Sequence, residues 1–67
     1  MKKYRDARGW LYQVMPDGVG GYTYKGQYLK PGAISWHRMS QLPWRNTKAE
    51  AQADLDAYAE QKGCSLG

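Results

Sequence analysis

Phenylalanine is absent from this 67-residue chain, and cysteine and histidine occur once each. The lone Cys64 cannot close an intrachain disulfide, and with no CxxC or Cys/His spacing around it no zinc staple is available. No apolar run approaches the roughly 18 residues of a membrane span. The opening Met1-Lys2-Lys3-Tyr4-Arg5-Asp6 is basic, like the start of a secretion signal, but no apolar stretch follows it. A soluble cytoplasmic protein is expected. Groups for catalysis are equally sparse. His37 has no partner at metal or catalytic spacing, no nucleophile stands beside a base, and Gly18-Val19-Gly20-Gly21 lacks the Lys-Ser/Thr of a phosphate loop, which leaves it as a turn. Neither an enzyme nor a cofactor or metal ion is expected.

A chain this short forms one domain, residues 1–67, and buries only about 60% of the surface its unfolded form exposes. Its few large side chains must therefore supply the core, and these are mainly six tyrosines and three tryptophans. Trp10 to Met15 is rich in strand-forming residues and is followed by glycines that suit a reversal. Tyr22 to Leu29 alternates aromatic with polar until Pro31-Gly32 closes it, and Ala33 to Met39 reads as a third strand ending before Pro43. Three strands, at about 10–15, 22–29 and 33–39, predict an antiparallel meander.

Thr47-Lys48-Ala49-Glu50 fits a capping box, with the Thr47 hydroxyl on the Glu50 amide and the Glu50 carboxylate on the Thr47 amide. A helix over 48–62 follows, with Gly63 placed for a left-handed cap. Ala51, Leu55, Tyr58, Ala59 and Lys62 share one side of it, a narrow stripe that needs bulky partners. Alternation supplies them. It places Trp10, Tyr12, Val14, Tyr22, Tyr24, Tyr28, Ile34 and Trp36 on the face toward the helix, and Leu11, Gln13, Met15, Thr23, Lys25, Gln27, Ser35, His37 and Met39 on the other. The expected fold class is α+β, a three-stranded antiparallel meander sheet packed on one C-terminal helix (β-β-β-α). Left uncovered, Trp10, Tyr12, Tyr24 and Trp36 would instead form a stacking platform for single-stranded nucleic acid.

Charge is divided between the two layers. Residues 1–47 carry eight Lys/Arg against two acids, net +6, and residues 48–67 carry two against four, net −2. A basic sheet side and an acidic helix side fit a protein that meets an acidic polymer with its sheet.

The strand pattern, followed by Trp44, Thr47, Lys48, Glu50, Ala51 and Leu55, resembles the N-terminal arm-type DNA-binding domains of phage and transposon tyrosine recombinases. Those domains share a three-stranded-sheet-plus-helix plan with AP2-type domains, and the resemblance covers roughly Tyr4 to Lys62. It implies binding without recombinase catalysis: the sheet in the major groove of double-stranded DNA, strand side chains toward bases and flanking cations on phosphates. It also implies an accessory or stand-alone protein of a phage or other mobile element, or an excised domain of a larger one. The candidate contacts are Lys25, Arg38 and Arg45 for phosphate, Arg5 and Arg8 as an N-terminal arm, and Thr23, Gln27 and His37 on the strands. The competing expectation is a protein-interaction module that docks a host or mobile-element protein. It would use an apolar patch of Leu11, Met15, Leu29 and Met39, or an edge strand.

Overall fold

The computed structural model describes residues 2–17 and 23–66. The glycine turn at 18–21 and Tyr22 therefore lie outside the described residues. The chain is α+β: an antiparallel sheet covered on one face by a single C-terminal helix. Among the described residues the sheet has five strands where three were expected. They are β1 (Tyr4–Arg5), β2 (Leu11–Asp17), β3 (Thr23–Leu29), β4 (His37–Arg38) and β5 (Ser65–Leu66), in the spatial order β4-β3-β2-β1-β5, with α1 (Lys48–Lys62) between β4 and β5. β2 and β3 pair along their full length, from Leu11↔Leu29 to Asp17↔Thr23. The two additional strands each hold two residues, too few for any periodicity to reveal them.

β1 corrects the expectation of an N-terminal arm. Tyr4 pairs with Tyr12 and is buried, and its hydroxyl donates to the Asp56 carboxylate on α1. The turn into β2 is organised by Asp6. Its Oδ1 accepts from the backbone amides of Arg8 (2.9 Å) and Trp10 (3.0 Å), and its Oδ2 accepts from the Arg8 guanidinium (2.8 Å) and the Tyr12 hydroxyl (2.8 Å). Gly9, at φ 86°, supplies the left-handed residue this turn needs.

Burial opposes the charge on Asp6, but the hydrogen bonds from Arg8, Tyr12 and the two amides outweigh it and hold the carboxyl at about 2. This folded value lies below the ~3.9 of an unfolded aspartate, so the stabilisation is present above about pH 4 and is lost as pH falls toward 2. Asp6→Asn should lower the melting temperature at pH 7 and flatten its decline between pH 5 and 2. Circular dichroism melts across that range test this, and an unchanged acid limb would remove Asp6 as the hub.

The third strand is shorter than predicted and has the opposite parity. Lys30-Pro31-Gly32-Ala33 closes as a turn, with Ala33 N–H on the Lys30 carbonyl at 3.0 Å and Gly32 at φ 81°. Ile34, expected in the core, is 97% exposed. Pairing begins only at His37↔Tyr28 and Arg38↔Gln27. His37 therefore lies on the helix side with Tyr28, and Arg38 on the open side with Gln27, the reverse of a strand running evenly from residue 33. A one-residue change of register turns every side chain to the other face. Met39, expected on the open face, is consequently buried under α1, its amide bonded to the Gly26 carbonyl at 3.1 Å.

Gly26 makes this burial possible. A β-carbon there would stand 2.8 Å from Leu42 Cδ1, 3.2 Å from Met39 Sδ and 3.4 Å from Leu55 Cδ1, so the bare backbone leaves the room those three side chains fill.

α1 follows its sequence signals, with one difference at the cap. Thr47 Oγ1 accepts from the Glu50 amide at 3.2 Å as expected, but Glu50 Oε1 takes its hydrogen bond from the Thr47 hydroxyl at 3.0 Å. At the other end Gly63, at φ 71°, directs Cys64 N–H to the Ala59 carbonyl and its own N–H to Glu60. That paired arrangement satisfies two of the last free carbonyls. Ala51, Leu55 and Ala59, spaced by four, are buried against Tyr12, Val14 and Met39. Tyr58 flanks them half-buried, its ring 5.6 Å from Tyr12, while Lys62 is exposed. Trp10 stacks on Tyr28 at 5.3 Å on the same side of the sheet, so these aromatics pack against the core. No helix among the described residues is long and apolar enough to cross a membrane.

Candidate nucleic-acid interface

Cross-strand pairing sorts the face away from α1 into rows. Ser65, Arg5, Leu11 and Leu29 form the first, from the pairings Arg5↔Ser65, Arg5↔Leu11 and Leu11↔Leu29. Gln13, Gln27 and Arg38 form the second. Met15 and Lys25 begin the third, and Trp44 completes it. The antiparallel bridge Tyr24↔Arg45 sets Trp44 opposite Lys25, and Lys25 Nζ lies 5.1 Å from the Trp44 ring centre. At the hairpin end the register pairs Asp17 with Thr23.

Five of the eight candidate contacts are thus gathered on one face: Arg5, Thr23, Lys25, Gln27 and Arg38. They are not equally accessible. Arg5 and Arg38 are exposed, Thr23 is half-buried, and Lys25 and Gln27 retain only 9% and 7% of their surface. β3 is flanked on both sides, so the long side chains of neighbouring strands close over its centre. The Arg38 guanidinium carbon stands 5.8 Å from the Trp44 ring, which brings two cations to one indole that is itself 42% exposed.

The other three candidates lie elsewhere. Arg45 turns toward the helix, where Nε and Nη2 grip the Asp54 carboxylate at 2.8 and 3.2 Å. The same carboxylate raises the Arg45 pKa. Arg8 is fixed by Asp6, with its guanidinium carbon 3.8 Å above the Trp10 ring, on the helix side of β2. His37 is exposed at the sheet edge, its ring 5.5 Å from that of Tyr28. The apolar patch proposed for a protein partner keeps Leu11, Met15 and Leu29, all half-buried, and loses Met39 to the core.

Gln13 lies on the open face as its alternation predicts and joins the candidate contacts there, whereas Trp44 enters the face with no periodicity to announce it. Pro43 marks the end of strand structure by sequence, and only the long-range bridge from Arg45 to Tyr24 brings Trp44 to the sheet edge. The usable signal for Gln13 was its alternation with Tyr12 and Val14.

Concavity is modest and lies on the helix side. One depression of about 310 Å³ is lined by residues including Arg8, Trp10, Tyr28, Ser40 and Tyr58. Among the described residues no group of three or more His, Cys, Asp or Glu is placed to hold a metal ion.

No family model, curated protein or solved structure matches this chain. The functional reading therefore rests on the arrangement of the face.

Proposed function

We propose that this chain is a duplex-DNA-binding module that lays its open sheet face in the major groove. The observation that carries the reading is the register, which collects Arg5, Gln13, Thr23, Lys25, Gln27, Arg38 and Trp44 on the face opposite α1. Four of the six acids, Glu50, Asp54, Asp56 and Glu60, belong to the helix on the other side, and Asp17 pairs with Thr23 at the hairpin end of the sheet. Arg5, on β1 just inside β5, and Arg38, on the edge strand β4, are accessible toward opposite sides of the face, where phosphates flank a groove, and the polar and aromatic side chains lie between them. Such a module acts without catalysis, in the cytoplasm, as an accessory protein of a phage or other mobile element.

Fluorescence anisotropy with a mixed-sequence duplex tests the reading. Affinity should fall steeply between 50 and 200 mM salt, with a log-log slope of about −0.9 per phosphate engaged. The second reading, a docking site for a protein, is favoured by the half-buried Leu11, Met15 and Leu29 on the same face. Absence of duplex binding at low salt would replace the DNA reading with it.

A further inference from the structure

Of the rows that cross three or more strands, only one consists wholly of side chains able to address base edges. The first sets Leu11 and Leu29 beside Arg5 and Ser65, and the third joins Met15 and Trp44 to a nearly buried lysine. The middle row is Gln13-Gln27-Arg38. A carboxamide presents a donor and an acceptor side by side, which matches the N6 and N7 positions of adenine. A guanidinium presents two parallel donors, which match O6 and N7 of guanine.

We infer that, within the duplex-binding reading above, the Gln13-Gln27-Arg38 row is the base-reading element, with Arg38 specifying guanine and Gln13 specifying adenine. Strands lie about 4.8 Å apart, so the row spans about 10 Å, within the ~12 Å width of the major groove. Gln27, at 7% exposure between the other two, acts as a positioning residue that restricts their side chains. The flanking rows lie two residues away along the strands, about 6.7 Å, or two base-pair steps of 3.4 Å. Their Leu11, Leu29 and Met15 side chains meet that level of the groove with apolar surface, suited to thymine methyl groups.

Selection from a randomised duplex library, followed by competition with single-base variants of the selected site, tests this. The wild-type protein should select a guanine, and the wrong base at that position should weaken binding roughly tenfold. Arg38→Lys keeps the charge but loses the planar fork, so it should abolish the guanine preference while leaving the salt slope unchanged. Gln13→Ala should relax an adjacent adenine preference alone. Melting temperatures close to wild type for these two exposed or half-exposed positions would establish that the variants are folded.

Salt-dependent duplex binding with no base preference, or with preferences that survive both substitutions, would overturn the reading row while leaving duplex binding in place. Failure of the wild-type protein to bind any duplex at low salt would overturn both.

Discussion

Leu55→Ala is expected to remove a large share of the protein's stability and to lower its melting temperature by at least about 10 °C. Leu55 retains 0% of its surface, with the helix alanines 51 and 59 above and below it and Met39 in the same cluster. Removing its isobutyl group forfeits transfer free energy and leaves a cavity, a combined cost of about 2–5 kcal/mol. A domain of this length has a total stability on the order of 3–10 kcal/mol. The slim alanines on either side cannot expand to fill the gap, and Gly26 opposite contributes no side chain. Each kcal/mol shifts the melting temperature of a small domain by about 4–8 °C, so a fall of at least about 10 °C should be read by circular dichroism. A variant melting within a few degrees of the wild type would show that the layer is held elsewhere. Gly26→Ala probes the same contact from the opposite side. Its effect should be smaller, because the nearest obstruction is the tip of Leu42, which can yield.

The largest functional effect is expected from reversing the two accessible cations of the sheet face together. Arg5→Glu/Arg38→Glu should weaken duplex binding on the order of a hundredfold at low salt, since each substitution replaces an attraction to phosphate with a repulsion of about 1 kcal/mol in water. Lys62→Glu is the control. It changes one charge in the same sense, but on the exposed last turn of α1, and should alter affinity by no more than about threefold. Equal losses from the two variants would mean that net charge alone governs binding and that the sheet has no special role. Lys25→Glu is less informative than its place on the sheet implied. That lysine is 9% exposed beside Trp44, so reversing its charge perturbs packing as well as any contact with phosphate.

Sequence and structure agree most closely where interactions are local. The helix runs over the predicted residues because its determinants are within a few positions of one another: the Thr47 hydroxyl and Glu50 amide at the start, the Gly63 turn at the end. The β2–β3 hairpin was likewise legible, because the period of Tyr12, Val14, Tyr24 and Tyr28 marks a face without reference to anything distant. Agreement fails at Ile34, His37 and Met39. Their parity depends on where the chain rejoins β3 after the Pro31-Gly32 turn, and no residue near them encodes that point. The same long-range pairing that buries Met39 sets Arg38 beside Gln27, so the candidate interface and the core were displaced by one cause.

Arg8 and Arg45 show the complementary limit. A cation in a sequence carries no sign of its partner, and Asp6 and Asp54 decide that these two arginines brace the fold. Tyr4 is similar: its hydroxyl bond to Asp56 pushes its pKa up to about 12, and connects residues 52 positions apart.

By itself the sequence determined the α+β class, the exclusion of an intrachain disulfide, a capped C-terminal helix with a slim apolar stripe, an aromatic strand pair facing it, and an uneven division of charge. These follow from periodicity, capping and composition, which act over a few residues or over the whole chain at once. Only the tertiary structure decided that the described residues form five strands, that Met39 and not Ile34 enters the core, and that Arg38 and Trp44 join Gln13 and Gln27 on the open face. Those outcomes depend on strand register and on ion pairs between distant residues, where a shift of one position reverses the result and only the packed chain selects among the alternatives.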